Sequence, residues 1–182
     1  MNKLRFFLLL IFCTILIGNI PVGADEQEEV TEEVEETEEV SFKKAVSDFA
    51  KSMKAVRKYI LAQAEKRKFE ESEINLLAEI IYWENWYTDK DKLTARWTGG
   101  VVMNRVHSDS FPNTVYDVAY QKGQYSTTKK FYTQELPEEC YEMARNVYYN
   151  GVEGMPENVL FQATFVQGKV WKRLNGEVFC YG

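Results

Sequence analysis

The stretch INLLAEIIYWEN at 74–85, followed by GGVVMNRV at 99–106, decides how this chain folds. Ile74, Leu77 and Ile81 recur at helical spacing and predict an amphipathic helix with one buried face. Glu84 falls seven residues after Leu77 and three after Ile81, so it continues that face. An acid that extends an apolar stripe between Trp83 and Trp86 needs a physical reason, because an unpaired buried carboxylate is costly. Two reasons are open. Either Glu84 has a structural partner, or its surroundings raise its pKa so that it keeps a proton to donate.

Downstream, a polar break at 87–93 leads into a second helix predicted from Thr94 to Val106. Gly99 and Gly100 cost propensity there and predict close approach to a neighbouring element. Thr114 is placed to cap a short helix, VYDVAY, and Pro137 to open another. The buried face of that later helix is read as Cys140, Ala144 and Val147, with Asn150-Gly151 closing it. Over the last third the period changes. VLFQATFV (159–166), KVWKRL (169–174) and EVFCY (177–181) read as strands, and Asn175-Gly176 is a two-residue hairpin signal. The fold class is α+β: a helical body with a small antiparallel sheet at the C-terminal end.

Upstream, residues 1–24 have the form of a secretory leader. Lys3 and Arg5 make the basic start, Phe6 to Ile17 the apolar run, and Val22-Gly23-Ala24 a small-residue cleavage site. The run is short for a membrane span, so cleavage after Ala24 is read over its rival, an uncleaved signal anchor. Either reading puts the working part outside the cytoplasm, secreted or held at the surface. Residues 25–40 hold ten acids and few apolar side chains, and are expected to form a disordered tether. A basic helix is expected over 41–69, capped by Ser41, with Phe42, Val46, Phe49, Met53, Val56 and Ile60 as a narrow heptad stripe. The simplest expectation packs that stripe on the domain that follows. Self-association and weak contact with a wall or membrane surface are the alternatives. The residues EESE at 70–73 then read as the start of the helix that carries Glu84, and 70–182 as the catalytic unit.

The formal charge of −6 conceals a division. Ten of the 28 acids lie in the tract, and residues 40–182 come out near neutral at +2. No basic patch argues for nucleic acid. Cys140 and Cys180 are candidates for a disulfide once the chain is exported, against two separately buried thiols. With one histidine, His107, and no Cys/His cluster, nothing has metal-ligand spacing and no cofactor is implied. His107 reads as a helix-end or surface residue. Ser126 and Cys140 lack the setting of a nucleophile. What remains is carboxylate chemistry on a wall polymer, with Tyr82, Trp83, Trp86 and Tyr87 as flat surfaces for sugar rings or as core. Asp89, Asp91, Asp109 and Asp117 are available as a second acid, and no arrangement selects one.

From Leu76 to Tyr181 the chain resembles the SleB-like spore-cortex-lytic and cell-wall hydrolase family. The ordered series is Tyr82-Trp83-Glu84-Asn85, Asn104-Arg105-Val106, Phe111-Pro112-Asn113-Thr114, Val118 and Gln124-Tyr125-Ser126. Leu160-Phe161-Gln162 and Gly176-Glu177-Val178-Phe179 look like the closing strands of the same domain. The resemblance implies a lysozyme-like domain related to lytic transglycosylases, with peptidoglycan glycan strands as substrate. It implies that Glu84 is the single general acid/base acting between N-acetylmuramic acid and N-acetylglucosamine. Tyr82, Trp86, Gln124, Tyr125, Ser126 and Gln162 are then substrate-binding candidates, and Asn104, Arg105 and Thr114 structural supports. Arg105 as an ordinary buried ion-pair partner is the alternative. A non-catalytic wall-binding protein and an amidase or peptidase on stem peptides are the rival functions. Asn85-Trp86-Tyr87 stands where the family usually has Ala-Arg-Gly, and Gln162 where a histidine-containing segment is common. Nothing at 25–68 resembles a wall-binding repeat, so targeting to spore cortex does not carry over.

Overall fold

The computed structural model describes residues 28–182, with side chains from Glu39 onward. The leader, its Ala24 cleavage site, Cys13 and the first residues of the acidic tract lie outside the described residues. Four helices are described: α1 (Glu28–Asn85), α2 (Leu93–His107), α3 (Val115–Ala119) and α4 (Glu138–Asn150). A 3-10 turn covers Ser126–Lys130, and three strands close the chain: β1 (Val159–Ala163), β2 (Val170–Leu174) and β3 (Glu177–Tyr181). None of these helices is long and apolar enough to cross a membrane.

α1 corrects three expectations at once. A disordered tether over 25–40, a basic helix capped by Ser41 over 41–69 and a fresh helix start at 70–73 are replaced by one helix from Glu28 to Asn85. The physical reason is in the composition. No glycine or proline occurs between Ala24 and Thr98, and Glu, Lys, Ala, Leu and Met all propagate a helix well. Contacts divide the chain between Lys58 and Tyr59, eleven residues before the expected boundary. In the first unit, Phe42, Val46, Phe49, Met53 and Val56 are exposed.

The second unit is built on the end of α1. Ile74, Leu76, Leu77, Ala78, Ile80 and Ile81 are all buried, so the helix is enclosed on every side rather than along one face. Side chains from α2 (Ala95, Val102, Met103), α3 (Val115, Val118) and α4 (Cys140, Ala144, Val147) surround it in one cluster. Each fully buried Leu or Ile contributes about 1.5–3 kcal/mol. Gly99 lets α2 come in. A Cβ there would lie 2.8 Å from Ile81 Cδ1 and 3.4 Å from Val147 Cγ1. The expected face of α4 is the one buried, and Gly151 closes the helix at φ 65°.

The sheet is antiparallel, in the order β1-β3-β2. Asn175 and Gly176 both take positive φ (48° and 87°), as a two-residue β2–β3 hairpin requires. Val159 and Phe179 meet Trp97 and Val101 of α2 in a second cluster, with Trp97 edge-on to Phe179 at 5.1 Å between ring centroids. Asn104 ties the two layers, its Nδ2 donating to the carbonyls of Pro156 (2.9 Å) and Val159 (3.0 Å).

Candidate active site around Glu84

Glu84 sits one residue before the end of α1, half-buried. The last turn of α1 delivers it from the core to the point where the chain turns away. That turn is fixed from several sides. Asn85 donates to Thr98 Oγ1 (2.9 Å), and Lys92 Nζ donates to the Trp86 carbonyl (2.6 Å) while lying 5.0 Å from the Trp86 ring centre. The Asp89 carboxylate accepts from Thr94 N (3.1 Å), Thr94 Oγ1 (2.9 Å) and Asn175 Nδ2 (2.7 Å). Asp89 thereby serves the first turn of α2 and anchors the hairpin, which takes it out of contention as a second acid.

The Glu84 carboxyl accepts a hydrogen bond from Thr127 Oγ1 of the 3-10 turn. Its pKa is raised above the ordinary carboxylate range. Burial is the largest cause; the Thr127 hydrogen bond opposes it, the negative charge of Glu177 adds to it, and Lys130 opposes it. Three elements therefore act on one carboxyl: α1, the 3-10 turn through Thr127 and Lys130, and the start of β3 through Glu177. Thr127, Lys130 and Glu177 were not singled out by sequence reasoning. The first two closely follow Gln124-Tyr125-Ser126 and share its turn. Glu177 lay within a motif read only as a closing strand.

Arg105 organises the next layer. It is 4% exposed, and none of the salt bridges among the described residues involves it. Its Nε donates to the Leu160 carbonyl (2.7 Å), and Nη1 donates to Gln124 Oε1 (2.9 Å) and Tyr125 Oη (3.4 Å). The Phe111 and Tyr125 rings lie 5.1 and 6.0 Å from the guanidinium carbon. The buried guanidinium is thus held by neutral acceptors and ring faces rather than by a carboxylate. The Tyr125 phenol is raised by burial, lowered by Arg105 and raised again by Glu84, so it stands electrically between the two.

The other expected residues divide. Tyr82 and Trp86 are 9% and 7% exposed, so both are core residues rather than open surfaces for a sugar ring. The Tyr82 hydroxyl shares a hydrogen bond with Tyr87 (3.1 Å) and accepts one from Gln134 (2.6 Å). Trp83 stays half-buried, with Lys130 Nζ 5.1 Å from its ring centre and its indole N–H donating to Glu79 (3.0 Å). Ser126 opens the 3-10 turn and is exposed; Gln162 is half-buried on β1 beside Phe179 of β3. Thr114 caps α3, accepting from Asp117 N (3.0 Å), and Glu73 accepts from Val115 N and Tyr116 N (3.3 Å) at the same helix start. His107 is the exposed last residue of α2.

Of the two readings of the cysteines, a disulfide or two separately buried thiols, the structure has the second. Cys140 and Cys180 are both free and buried. Cys140 Sγ donates to the Ala78 carbonyl (3.3 Å) inside the helical core, and burial pushes its pKa up to about 12. Cys180 lies instead in the central strand of the sheet, opposite Phe161 and Val170. A recess of about 380 Å³ opens beside Phe69, Glu73, Thr114 and Tyr132. It is lined by neither Glu84 nor its neighbours, and its one buried carboxylate already holds two backbone N–H groups.

No curated protein and no solved structure matches the chain. Residues 92–179 match the model of the Cell Wall Hydrolase family, a span that takes in α2, Arg105, the Thr127 turn and Glu177 and begins eight residues after Glu84. The matched Cell Wall Hydrolase domain supports a peptidoglycan-related enzymatic activity, in general terms, for this protein.

Proposed function

We propose that the protein cleaves peptidoglycan at the glycosidic bond between N-acetylmuramic acid and N-acetylglucosamine, as a lytic transglycosylase with a lysozyme-like catalytic unit at 70–182. Export through a leader cleaved after Ala24 belongs to the same proposal. The observation that carries it is Glu84: a half-buried carboxyl whose proton affinity is raised chiefly by desolvation. A general acid near neutral pH needs that setting. Glu84 donates its proton to the glycosidic oxygen as the C1–O bond breaks and the electron pair passes to that oxygen. The muramic C6 hydroxyl then bonds to C1 and returns its proton to Glu84, leaving a 1,6-anhydro end. Between these steps Glu84 is an anion, and the Thr127 hydroxyl and the Lys130 charge favour that state. Glu84→Gln keeps the shape of the site and removes the proton. It is expected to cut lysis of purified walls by roughly 10²–10⁴-fold while the domain stays folded. Full activity in that variant removes Glu84 from the mechanism.

One observation favours a second reading, plain hydrolysis. The Glu177 charge acts on Glu84, which makes it the candidate for the second carboxylate that a water-activating glycosidase commonly uses. Water would then take the place of the C6 hydroxyl.

A further inference from the structure

The N-terminal part of α1 carries a surface that the glycan chemistry does not use. Phe42, Val46, Phe49, Met53, Val56 and Ile60 are each 50–66% exposed, along one helix. Their spacing of four, three, four, three, four is the 3.5-residue period of a coiled-coil seam. Over 42–56 the stripe keeps to two heptad positions, narrower than the apolar face of a helix lying in a membrane surface, and Tyr59 and Leu61 widen it only beside Ile60. Ala45, Ala50 and Ser52, which border the stripe, are small and let a second backbone approach.

Charge selects the occupant and its direction. Ten acids lie over 25–39, and nine basic residues lie between Lys43 and Lys68, ending in Lys66, Arg67 and Lys68. A parallel pair would set acids on acids and bases on bases. We infer that two copies of this chain pair antiparallel through the 42–60 stripe, about a centre near residue 51. That register joins Phe42 to Ile60, Val46 to Val56 and Phe49 to Met53 across the seam. It also brings residues 34–36 of each copy, within the acidic tract, beside Lys66, Arg67 and Lys68 of the other. The acids just beyond have partners within their own chain: Glu70 lies 3.7 Å from Lys66, Glu71 pairs with Arg145 at 3.2 Å, and Glu73 holds the start of α3, while none of the salt bridges among the described residues involves Arg67 or Lys68. The enzyme is thus a dimer joined by its N-terminal helices, each copy keeping its own Glu84.

Sedimentation equilibrium of the protein at low salt is expected to give a dimer, and Phe49→Glu/Met53→Glu a monomer at the same concentration. Lys66→Glu/Arg67→Glu/Lys68→Glu leaves the stripe intact and tests direction without risk to the seam. It is expected to weaken the dimer by ~tenfold or more, with the difference shrinking as salt rises. A wild-type monomer overturns the pairing, and one that instead binds anionic phospholipid vesicles assigns the stripe to a membrane surface. A triple variant that pairs as well as the wild type, or better, overturns the antiparallel arrangement.

Discussion

Glu84 is held by neighbours that pull its proton affinity in opposite directions. Burial and Glu177 favour the neutral acid; Thr127 and Lys130 favour the anion. If the protonated form is the working acid, activity falls as pH rises through the Glu84 pKa, and single substitutions move that fall in signed directions. Glu177→Gln removes a like charge, lowers the pKa and shifts the alkaline fall of kcat/KM to lower pH. Thr127→Val removes a hydrogen bond to the anion, raises the pKa and shifts the same fall to higher pH. Burial, the largest cause, is common to both variants, so the two shifts isolate the smaller contributions. pH–rate profiles on solubilised glycan strands check both directions. Shifts of the same sign in the two variants would detach the pH dependence from Glu84.

At the scale of elements, the fit of α2 against α1 depends on Gly99. Gly99→Ala is expected to be nearly neutral, because the Ile81 methyl end can yield and alanine regains about 1 kcal/mol of helix propensity. Gly99→Val adds a Cβ and two methyls between Ile81 and Val147 and is expected to cost about 1–3 kcal/mol in urea unfolding. This close approach was legible in the sequence, since two adjacent glycines inside a helical pattern sacrifice propensity where a neighbour must come near. The hairpin at Asn175-Gly176, the three strands and the α4 face were legible because local chemistry dictates them. The extent of α1 was not. A change from acidic to basic composition resembles a boundary, yet helix propensity responds to neither sign and continues through both. Nor was the enclosure of Tyr82 and Trp86, since periodicity cannot tell a half-covered helix from one covered on every side. Thr127 and Glu177 reach Glu84 across 43 and 93 residues of chain, and pairings of that range come from packing.

Across the whole molecule, the matched domain and the proposed acid belong to different stretches of chain. The Cell Wall Hydrolase match covers 92–179, while Glu84 arrives from α1 just upstream. The groups that adjust its proton affinity, Thr127, Glu177 and Lys130, all lie within the match. In the proposed mechanism the end of α1 is therefore part of the catalytic unit, and groups of the matched domain adjust the proton affinity of its acid. The central claim is the bond that breaks. Mass spectrometry of muropeptides released from purified peptidoglycan tests that claim most directly. Fragments ending in 1,6-anhydro-muramic acid are the predicted result; reducing muramic ends would move the reaction to hydrolysis, and freed stem peptides with intact glycan strands would contradict cleavage of the glycosidic bond altogether.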